Sequence, residues 1–197
     1  MTTFYLVRHG VKEKMMGDPG LTEIGHAQAE LTGQFLSQFP ITSIMTSPYL
    51  RTQQTAEHIA KHVGVKVATS PLLKERANWG EDPTQPIEEF FTEWNKATFD
   101  RTYQPKVGDS SQQAGERMEQ ALEQLAGNKN QHIILVTHGG IIMDFLRNVL
   151  SEDEVAHLLR SFDQGQGYEV PECSITVVEK TSDGVNVKQL VSSAHLK

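Results

Sequence analysis

The sequence predicts an α/β fold: a three-layer α/β/α sandwich with a mainly parallel central sheet and a helical insertion. Short apolar runs typical of buried strands alternate with longer segments whose apolar residues recur at helical spacing. The length of 197 residues suits one hydrophobic core. We therefore expect a single domain over residues 1–197, with the insertion at about 80–110.

The first half of the chain contains three predicted strands, at residues 4–7, 41–46 and 65–68. Thr22 is predicted to cap the first helix, whose apolar residues recur at helical spacing at Ile24, Ala27, Leu31 and Phe35. Ser47, followed by Pro48, is predicted to cap the second helix, which Gly64 ends.

The second half begins with the loosely patterned insertion, where aromatic residues cluster at Phe90, Phe91 and Trp94. We expect these rings to pack the insertion onto the body, although they could instead form an apolar lid over a substrate. Ser110 or Ser111 is predicted to cap the next helix. A strand at 131–137, helices at 141–150 and 153–162, and a hairpin of strands at 174–180 and 185–191 complete the pattern.

Three groups of basic or imidazole residues follow predicted strands. Arg8-His9-Gly10 and His138-Gly139-Gly140 come directly after their strands, and Arg51 lies early in the helix after another. Ligands of parallel α/β sheets bind beyond the carboxyl ends of the strands. The groups are therefore predicted to converge at one edge of the sheet.

Such a convergence suits phosphoryl transfer, which needs a nucleophile, cations for the phosphoryl oxygens and an acid for the leaving oxygen. Neutral imidazole can be the nucleophile, and neighbouring guanidinium groups disfavour its protonation. A backbone carbonyl near Gly10 could hold the other ring nitrogen of His9. Arginine can fork onto phosphoryl oxygens, and the backbone at Gly139 lets an anion approach a helix N-terminus closely.

Several motifs then occur in a fixed order over roughly residues 4 to 150. They are Leu6-Val7-Arg8-His9-Gly10, Leu21-Thr22-Glu23-Ile24-Gly25-His26-Ala27-Gln28-Ala29, Ser47-Pro48-Tyr49-Leu50-Arg51-Thr52-Gln53-Gln54-Thr55-Ala56, Leu73-Lys74-Glu75-Arg76, Gly108-Asp109-Ser110 and Val136-Thr137-His138-Gly139-Gly140. Arg-His-Gly alone is a weak signal, but the ordered set is strong. The sequence resembles the histidine phosphatase superfamily, which contains the cofactor-dependent phosphoglycerate mutases and the fructose-2,6-bisphosphatase-type enzymes.

The resemblance implies a role for each matching position. His9 is the expected phosphorylated nucleophile, and the expected phosphate pocket consists of Arg8, Arg51 and His138. Glu75 is expected to protonate the leaving oxygen and then to activate water, with Glu81, Asp82 and Glu88 as local competitors. Further substrate contacts are expected from Gly139, Thr22 and Lys12, although a solvated loop is an equal alternative for Lys12.

One stretch departs from the family pattern. Many members place a Ser or Thr, then an Asn, shortly after Arg-His-Gly, whereas residues 11–16 here read Val-Lys-Glu-Lys-Met-Met. This departure makes mutase activity less expected than hydrolysis of a small phosphate monoester. The alternatives are phosphoglycerate mutase-type phosphoryl transfer and a non-catalytic phospholigand-binding protein.

Composition limits the partners of the chain. A formal net charge of -7 argues against binding to nucleic acid or an anionic membrane. The lone Cys173 excludes an intrachain disulfide, and with no signal peptide or transmembrane run it suggests the cytoplasm. We expect no cofactor and no metal, since His58 and His62 lie at helical spacing without an acidic partner in the motif. The expected partner is a small phosphorylated metabolite.

Overall fold

The centre of the computed structural model is a six-stranded sheet, with strand order β3-β2-β4-β1-β5-β6 among the described residues. The structure describes residues 1–127, 130–162 and 170–197, without the side chains of 161 and 162. The strands are β1 (Thr2–Arg8), β2 (Ser43–Thr46), β3 (Val67–Thr69), β4 (Gln131–Thr137), β5 (Ile175–Thr181) and β6 (Gly184–Ser192). The first four run parallel, and β5 and β6 form the predicted antiparallel hairpin at one side.

Helices cover both faces of this sheet. They are α1 (Glu23–Leu36), α2 (Leu50–Val63), α3 (Ile87–Phe99), α4 (Ser111–Leu125), α5 (Gly139–Val149) and α6 (Glu152–Phe162). Alternate residues of β1 point to opposite faces: Phe4 and Leu6 pack with α4 and α5, whereas Tyr5 and Val7 pack with α1 and α2. The predicted α/β fold with its mainly parallel sheet is confirmed, and α3 is the helical part of the insertion.

The apolar pattern did not identify the buried face of α1. Ile24 and Leu31 are 65% and 41% exposed, and the buried residues are Gly25, Ala29, Thr32, Gly33 and Leu36. The reason is close packing of α1 against α2, because a side chain added at Gly33 would lie 3.1 Å from the Cα of Ile59. Small residues, not large apolar ones, form this contact.

The start of α2 also differs from the prediction. Tyr49 occupies the N-cap position and makes no side-chain capping bond. The carboxylate of Asp18 instead accepts the amide of Leu50, at 2.9 and 3.0 Å. The Ser47 hydroxyl hydrogen-bonds the Nε2 atom of His138 at 2.8 Å. A carboxylate from a distant loop thus takes the capping role, and Ser47 contacts the predicted phosphate pocket.

His58 and His62 have an acidic partner that their own motif did not contain. Glu30 of α1 lies 3.0 Å from the Nδ1 of His58 and 2.6 Å from the Nε2 of His62. The Nδ1 of His26 lies 3.0 Å from the Nε2 of His58. Packing of α1 against α2 therefore brings Glu30 between the two imidazoles, a contact that the spacing within α2 did not predict.

Other local predictions agree with the structure. Gly64 ends α2 in a left-handed conformation with φ 72°. Ser110 caps α4 in a capping box with Gln113. The strand β5 starts at Ile175, one residue later than predicted. Cys173 lies before it, with φ 53°. None of the helices in the described ranges is long and apolar enough to cross a membrane.

Replacing Ser110 tests the capping box. Ser110 is almost fully buried, and its hydroxyl accepts the amide of Gln113 while its own amide donates to the Gln113 side chain. We expect Ser110→Ala to lower the free energy of unfolding by about 1 kcal/mol. Chemical denaturation measures this, with Ser182→Ala in the exposed hairpin turn as control. An equal loss in both variants would contradict the capping assignment.

Candidate active site

The site forms where β1 and β4 end side by side. Parallel pairing places Arg8 opposite Thr137, and the amide of His9 donates to the carbonyl of Thr137 at 3.0 Å. The residues that follow the two strands are therefore neighbours, and the rings of His9 and His138 lie 5.3 Å apart. The turn before β5 supports the same backbone, since the amide of Cys173 donates to the carbonyl of Arg8 at 3.1 Å.

His9 is held in one tautomer. Its Nδ1 atom lies 2.7 Å from the carbonyl oxygen of Gly10. A carbonyl only accepts, so Nδ1 carries the proton and Nε2 presents its lone pair. Burial lowers the pKa of His9 well below its ordinary value, and the charges of Arg8 and Arg51 lower it further. The ring is thus neutral, with one nitrogen suited to nucleophilic attack.

Two guanidinium groups flank this ring, and each lies near one carboxylate. Arg8 forms an ion pair with Glu172 at 2.9 Å and also donates to the carbonyl of Val170. Arg51 is 3% exposed, with its Nη1 atom 3.6 Å from Asp18 and its Nη2 atom donating to Asn78 at 3.2 Å. The two guanidinium groups therefore retain positive charge at the edge of the sheet.

Buried nitrogen atoms without hydrogen-bond partners occur at this edge. Within the residues that the structure describes, the Nε and Nη1 atoms of Arg51 and the Nδ1 atom of His138 are buried and make no hydrogen bond. Leaving buried polar groups unpaired costs free energy, so such groups mark places where a ligand completes the hydrogen bonding. The guanidinium nitrogens of Arg51 are donors that fit the oxygens of an anion.

His138 supports the site from behind. It is fully buried, its Nε2 atom contacts the Ser47 hydroxyl, and the edge of its ring meets Tyr49 at 5.4 Å between centroids. Burial lowers the pKa of His138 well below its ordinary value, with a further contribution from Arg51. The ring is not among the cavity walls, so it lies in a layer behind His9.

Glu75 lies at the N-terminus of α5. Its carboxylate accepts the amides of Gly140 at 3.0 Å, Ile141 at 2.8 Å and Arg76 at 2.8 Å. A side chain added at Gly140 would lie 2.6 Å from the Oε1 of Glu75, so glycine is needed for this approach. Arg117 donates to the carbonyls of Leu72, Lys74 and Glu75 and thereby fixes the segment that carries the carboxylate.

A cavity of about 640 Å³ joins these groups. Six of the predicted site residues line it: Arg8, His9, Lys12, Arg51, Glu75 and Gly139. Glu81, Asp82 and Glu88 do not line it, whereas Glu172 and Asp144 do. Glu172 is paired with Arg8, and Asp144 is paired with Arg76. Glu75 is the lining carboxylate that backbone amides hold.

Thr22 does not match its predicted substrate contact. Its hydroxyl accepts the amide of Gly25 at 3.1 Å and donates to the carbonyl of Val11 at 3.2 Å. Both hydrogen-bonding functions are therefore used inside the fold, and Thr22 is absent from the cavity walls. The residue caps α1 as predicted and fixes the loop after His9.

The aromatic residues of the insertion lie on the cavity. Phe90, Phe91 and Trp94 all line it, as does Trp79. The expectation that these rings only pack the insertion onto the body was therefore incomplete. Phe90 is buried and its ring contacts those of Phe91 and Trp94, whereas Phe91 is 53% exposed at the cavity wall.

A buried ion pair fixes the wall opposite His9. Arg76 contacts Asp144 at 3.1 Å, and the Ser111 hydroxyl donates to the same carboxylate at 2.6 Å. The guanidinium of Arg76 lies 3.9 Å from the ring centroid of Trp94. Burial raises the pKa of Asp144 to about 6, although Arg76 opposes the shift. The pair connects α3, α4 and α5 around the cavity.

Several residues of the site were not identified from the sequence. They are the partners of the basic groups and of His138, namely Asp18, Asn78, Glu172, Tyr49 and Ser47. Tyr49 and Ser47 lie inside the motif that contains Arg51, so their position was a usable signal. Asp18, Asn78 and Glu172 lie in loops without a recognisable pattern. In the described part of the chain, no group of three or more His, Cys, Asp or Glu residues is arranged to hold a metal ion.

An imidazole with a free nitrogen, flanked by two guanidinium groups at the carboxyl edge of a parallel sheet, is an arrangement that can bind a phosphoryl group beside a nucleophile. The model of the histidine phosphatase superfamily (branch 1) matches residues 4–193 of the chain. The chain belongs to the histidine phosphatase superfamily.

The chain is similar to a protein described as a probable mutase and shares its fold with solved structures of phosphatases. A protein described as probable phosphoglycerate mutase GpmB, from Yersinia enterocolitica, is 38% identical over 155 residues, which cover 71% of this chain and 70% of the relative. A mutant phosphoserine phosphatase from Entamoeba histolytica, in complex with phosphoserine, superposes with a TM-score of 0.69 at 22% identity over 100% of both chains. Mycobacterial glucosyl-3-phosphoglycerate phosphatase in complex with VO3 superposes with a TM-score of 0.72 at 19% identity, over 97% of this chain and 99% of that one. These structural likenesses establish the fold, and the family supports phosphoryl-transfer activity.

Imidazole NMR of the free protein tests the neutral state of the two rings. An ordinary histidine is half protonated near pH 6.5. Because burial and the neighbouring arginines lower the pKa of His9 and His138, both rings should remain neutral when the pH falls through that value to 6.0. Nitrogen-15 shifts measure this, with His9→Ala providing the assignment. A His9 ring that becomes cationic at pH 6.5 would contradict the electrostatic description.

Proposed function

We propose that the protein is a phosphatase that hydrolyses a small phosphate monoester through a phosphohistidine intermediate on His9. The observation that carries the proposal is the neutral ring of His9, with its Nε2 lone pair available, on a cavity also lined by Arg8, Arg51 and Glu75. These are the nucleophile, the cations and the acid that phosphoryl transfer needs.

The first step transfers the phosphoryl group to His9. The Nε2 lone pair attacks phosphorus, the bond from phosphorus to the ester oxygen breaks, and protonated Glu75 donates its proton to the leaving oxygen. Arg8 and Arg51 stabilise the charge on the phosphoryl oxygens. The Nδ1 proton stays on the ring, where the Gly10 carbonyl holds it. His138 supports the position of His9 from the layer behind it.

The second step releases phosphate. Glu75, now a carboxylate, accepts a proton from water as the water oxygen attacks phosphorus, and the bond from phosphorus to Nε2 breaks. Neutral His9 and protonated Glu75 are restored together with inorganic phosphate. The position of Glu75 between the N-terminus of α5 and the cavity lets one residue serve both steps.

Phosphoglycerate mutase activity is the second candidate, because the GpmB relative has that description. A mutase must retain the phosphoryl group and exclude water. Hydrolysis is favoured here by the wide cavity and by residues 11–16, which lack the hydroxyl and amide side chains that the family pattern places there. Release of free phosphate, against isomerised phosphoglycerate, distinguishes the two activities.

Metal independence and a cytoplasmic location are parts of the same proposal. Arg8 and Arg51 supply the positive charge that the reaction needs. The single Cys173 is buried, and burial raises the pKa of its thiol to about 12, so it is neither a disulfide partner nor a reactive thiolate. Activity that survives a chelator would support the metal-independent mechanism.

Replacing His9 tests the intermediate. We expect His9→Ala to lower kcat by at least about a thousandfold, because the nucleophile is lost. Quenched reactions with a phosphorus-labelled ester should give an acid-labile protein adduct with the unmodified enzyme and none with the variant. His157→Ala, an exposed position on α6, is the matched control and should keep full turnover. Full turnover by His9→Ala would exclude the assignment.

Replacing Glu75 tests the proton transfers. With alkyl esters we expect Glu75→Gln to reduce kcat by about 10²–10⁴-fold, because alkoxide is a poor leaving group without an acid. With p-nitrophenyl phosphate the first step needs less acid assistance, so labelled phosphohistidine should accumulate. Glu88→Gln, at an exposed position outside the cavity walls, is the control for a nearby carboxylate. Equal effects of the two variants would show that another group is the acid.

A further inference from the structure

We propose that α3 selects the substrate by binding an uncharged, apolar leaving group, so that the preferred monoesters are alkyl or aryl phosphates and not phosphorylated acids. The inference rests on the proposed phosphatase function. It concerns the part of the cavity beyond the phosphoryl site, which the two catalytic steps do not use.

One face of α3 forms an apolar wall. Ile87, Phe90, Phe91 and Trp94 all line the cavity, and their spacing of three and four residues places them on the same side of the helix. The rings form a continuous row, with Phe90 5.6 Å from Phe91 and 6.1 Å from Trp94 between centroids. A flexible apolar group can lie along this row.

The other side of the cavity carries three apolar side chains. Val11 and Met15 lie on the loop after His9, and Met143 lies on α5; all three line the cavity. Residues 11–16 are the stretch where the family pattern places hydroxyl and amide side chains. This chain has Val11 and Met15 there, together with Lys12 and Lys14, which also line the cavity.

Exposed apolar side chains gather at the same cavity. Met15 is 64% exposed, Phe91 53% and Ile87 37%, and each lines the wall. Contiguous exposed apolar surface costs free energy in water and commonly marks a binding site. A leaving group that covers these side chains would gain binding energy from their burial.

Trp94 connects the apolar wall with the reacting bond. A side chain added at Gly140 would lie 2.6 Å from both the Cη2 of Trp94 and the Oε1 of Glu75. The indole therefore lies beside the carboxylate that protonates the leaving oxygen. A group attached to that oxygen must start next to the indole ring, and the rest of the α3 wall extends from there.

The lining cations beyond the phosphoryl site differ in their partners. Arg76 is paired with Asp144. Arg147 donates to the carbonyl of Thr98 at 2.8 Å and has no carboxylate partner among the described residues. An acidic leaving group could reach Arg147 on α5, or Lys12 and Lys14 on the loop after His9, so the test must include such a group.

A series of n-alkyl phosphates tests the proposal with the unmodified protein. Ethyl, butyl and hexyl phosphate have leaving groups of nearly equal intrinsic reactivity, so differences in kcat/KM report binding along the wall. A fully buried methylene is worth about a fourfold change, and we expect a two- to fourfold rise for each added methylene. The kcat/KM for hexyl phosphate should also exceed that for an ester with the same chain ending in a carboxylate.

Two variants of α3 locate the effect. Phe91→Ala removes a lining ring from an exposed position and should lower kcat/KM for hexyl phosphate by about tenfold, with a smaller gain per methylene. Phe99→Ala is the matched control on the same helix, since Phe99 is 84% exposed and outside the cavity walls. This control should keep the dependence on chain length.

The outcomes separate this inference from the proposed function. Phosphohistidine that forms with every alkyl ester at equal kcat/KM would overturn the apolar preference and leave the phosphatase function intact. A preference for the carboxylate-ended ester would overturn it too and would indicate a lining cation, Arg147, Lys12 or Lys14, as the binding group. Equal losses of kcat/KM in Phe91→Ala and Phe99→Ala would show that the α3 wall does not bind the leaving group. Absence of turnover and of phosphohistidine with all esters would overturn both proposals.

Discussion

The parallel register between β1 and β4 is the constraint on which the site depends. It places Arg8 opposite Thr137 and connects the backbone of His9 directly to the neighbouring strand. Both strands are buried on their two faces, so a slip of one residue would move every side chain to the wrong layer of the core. The packing that stabilises the fold therefore also determines the distance between the two imidazoles.

Burial of positive charge gives the site its chemistry. The rings of His9 and His138 are surrounded by protein and lie near guanidinium groups, so their cationic forms are disfavoured. Asp18 and Glu172 each compensate part of the charge of one arginine, and backbone amides hold Glu75 in place. An anion can thus enter a prepared arrangement of donors whose geometry the fold maintains.

The sequence predicted the parts of this protein that follow from local pattern. Strand and helix order, the end of α2 at Gly64 and the cap at Ser110 could be read directly, because each depends on neighbouring residues. The site residues His9 and Arg51 could be predicted because strand ends of parallel sheets meet at one edge. The buried face of α1 could not be predicted, because the glycine positions and not the apolar pattern governed its packing against α2.

The sequence by itself determined the α/β order, the family and the residue types at the carboxyl edge of the sheet. Only the tertiary structure decided which distant groups serve them: Asp18 at the start of α2, Ser47 against His138, and the aromatic face of α3 on the cavity. The physical reason is distance along the chain. Periodicity and capping signals report contacts within a few residues, whereas these contacts join loops and helices that meet only when the layers pack.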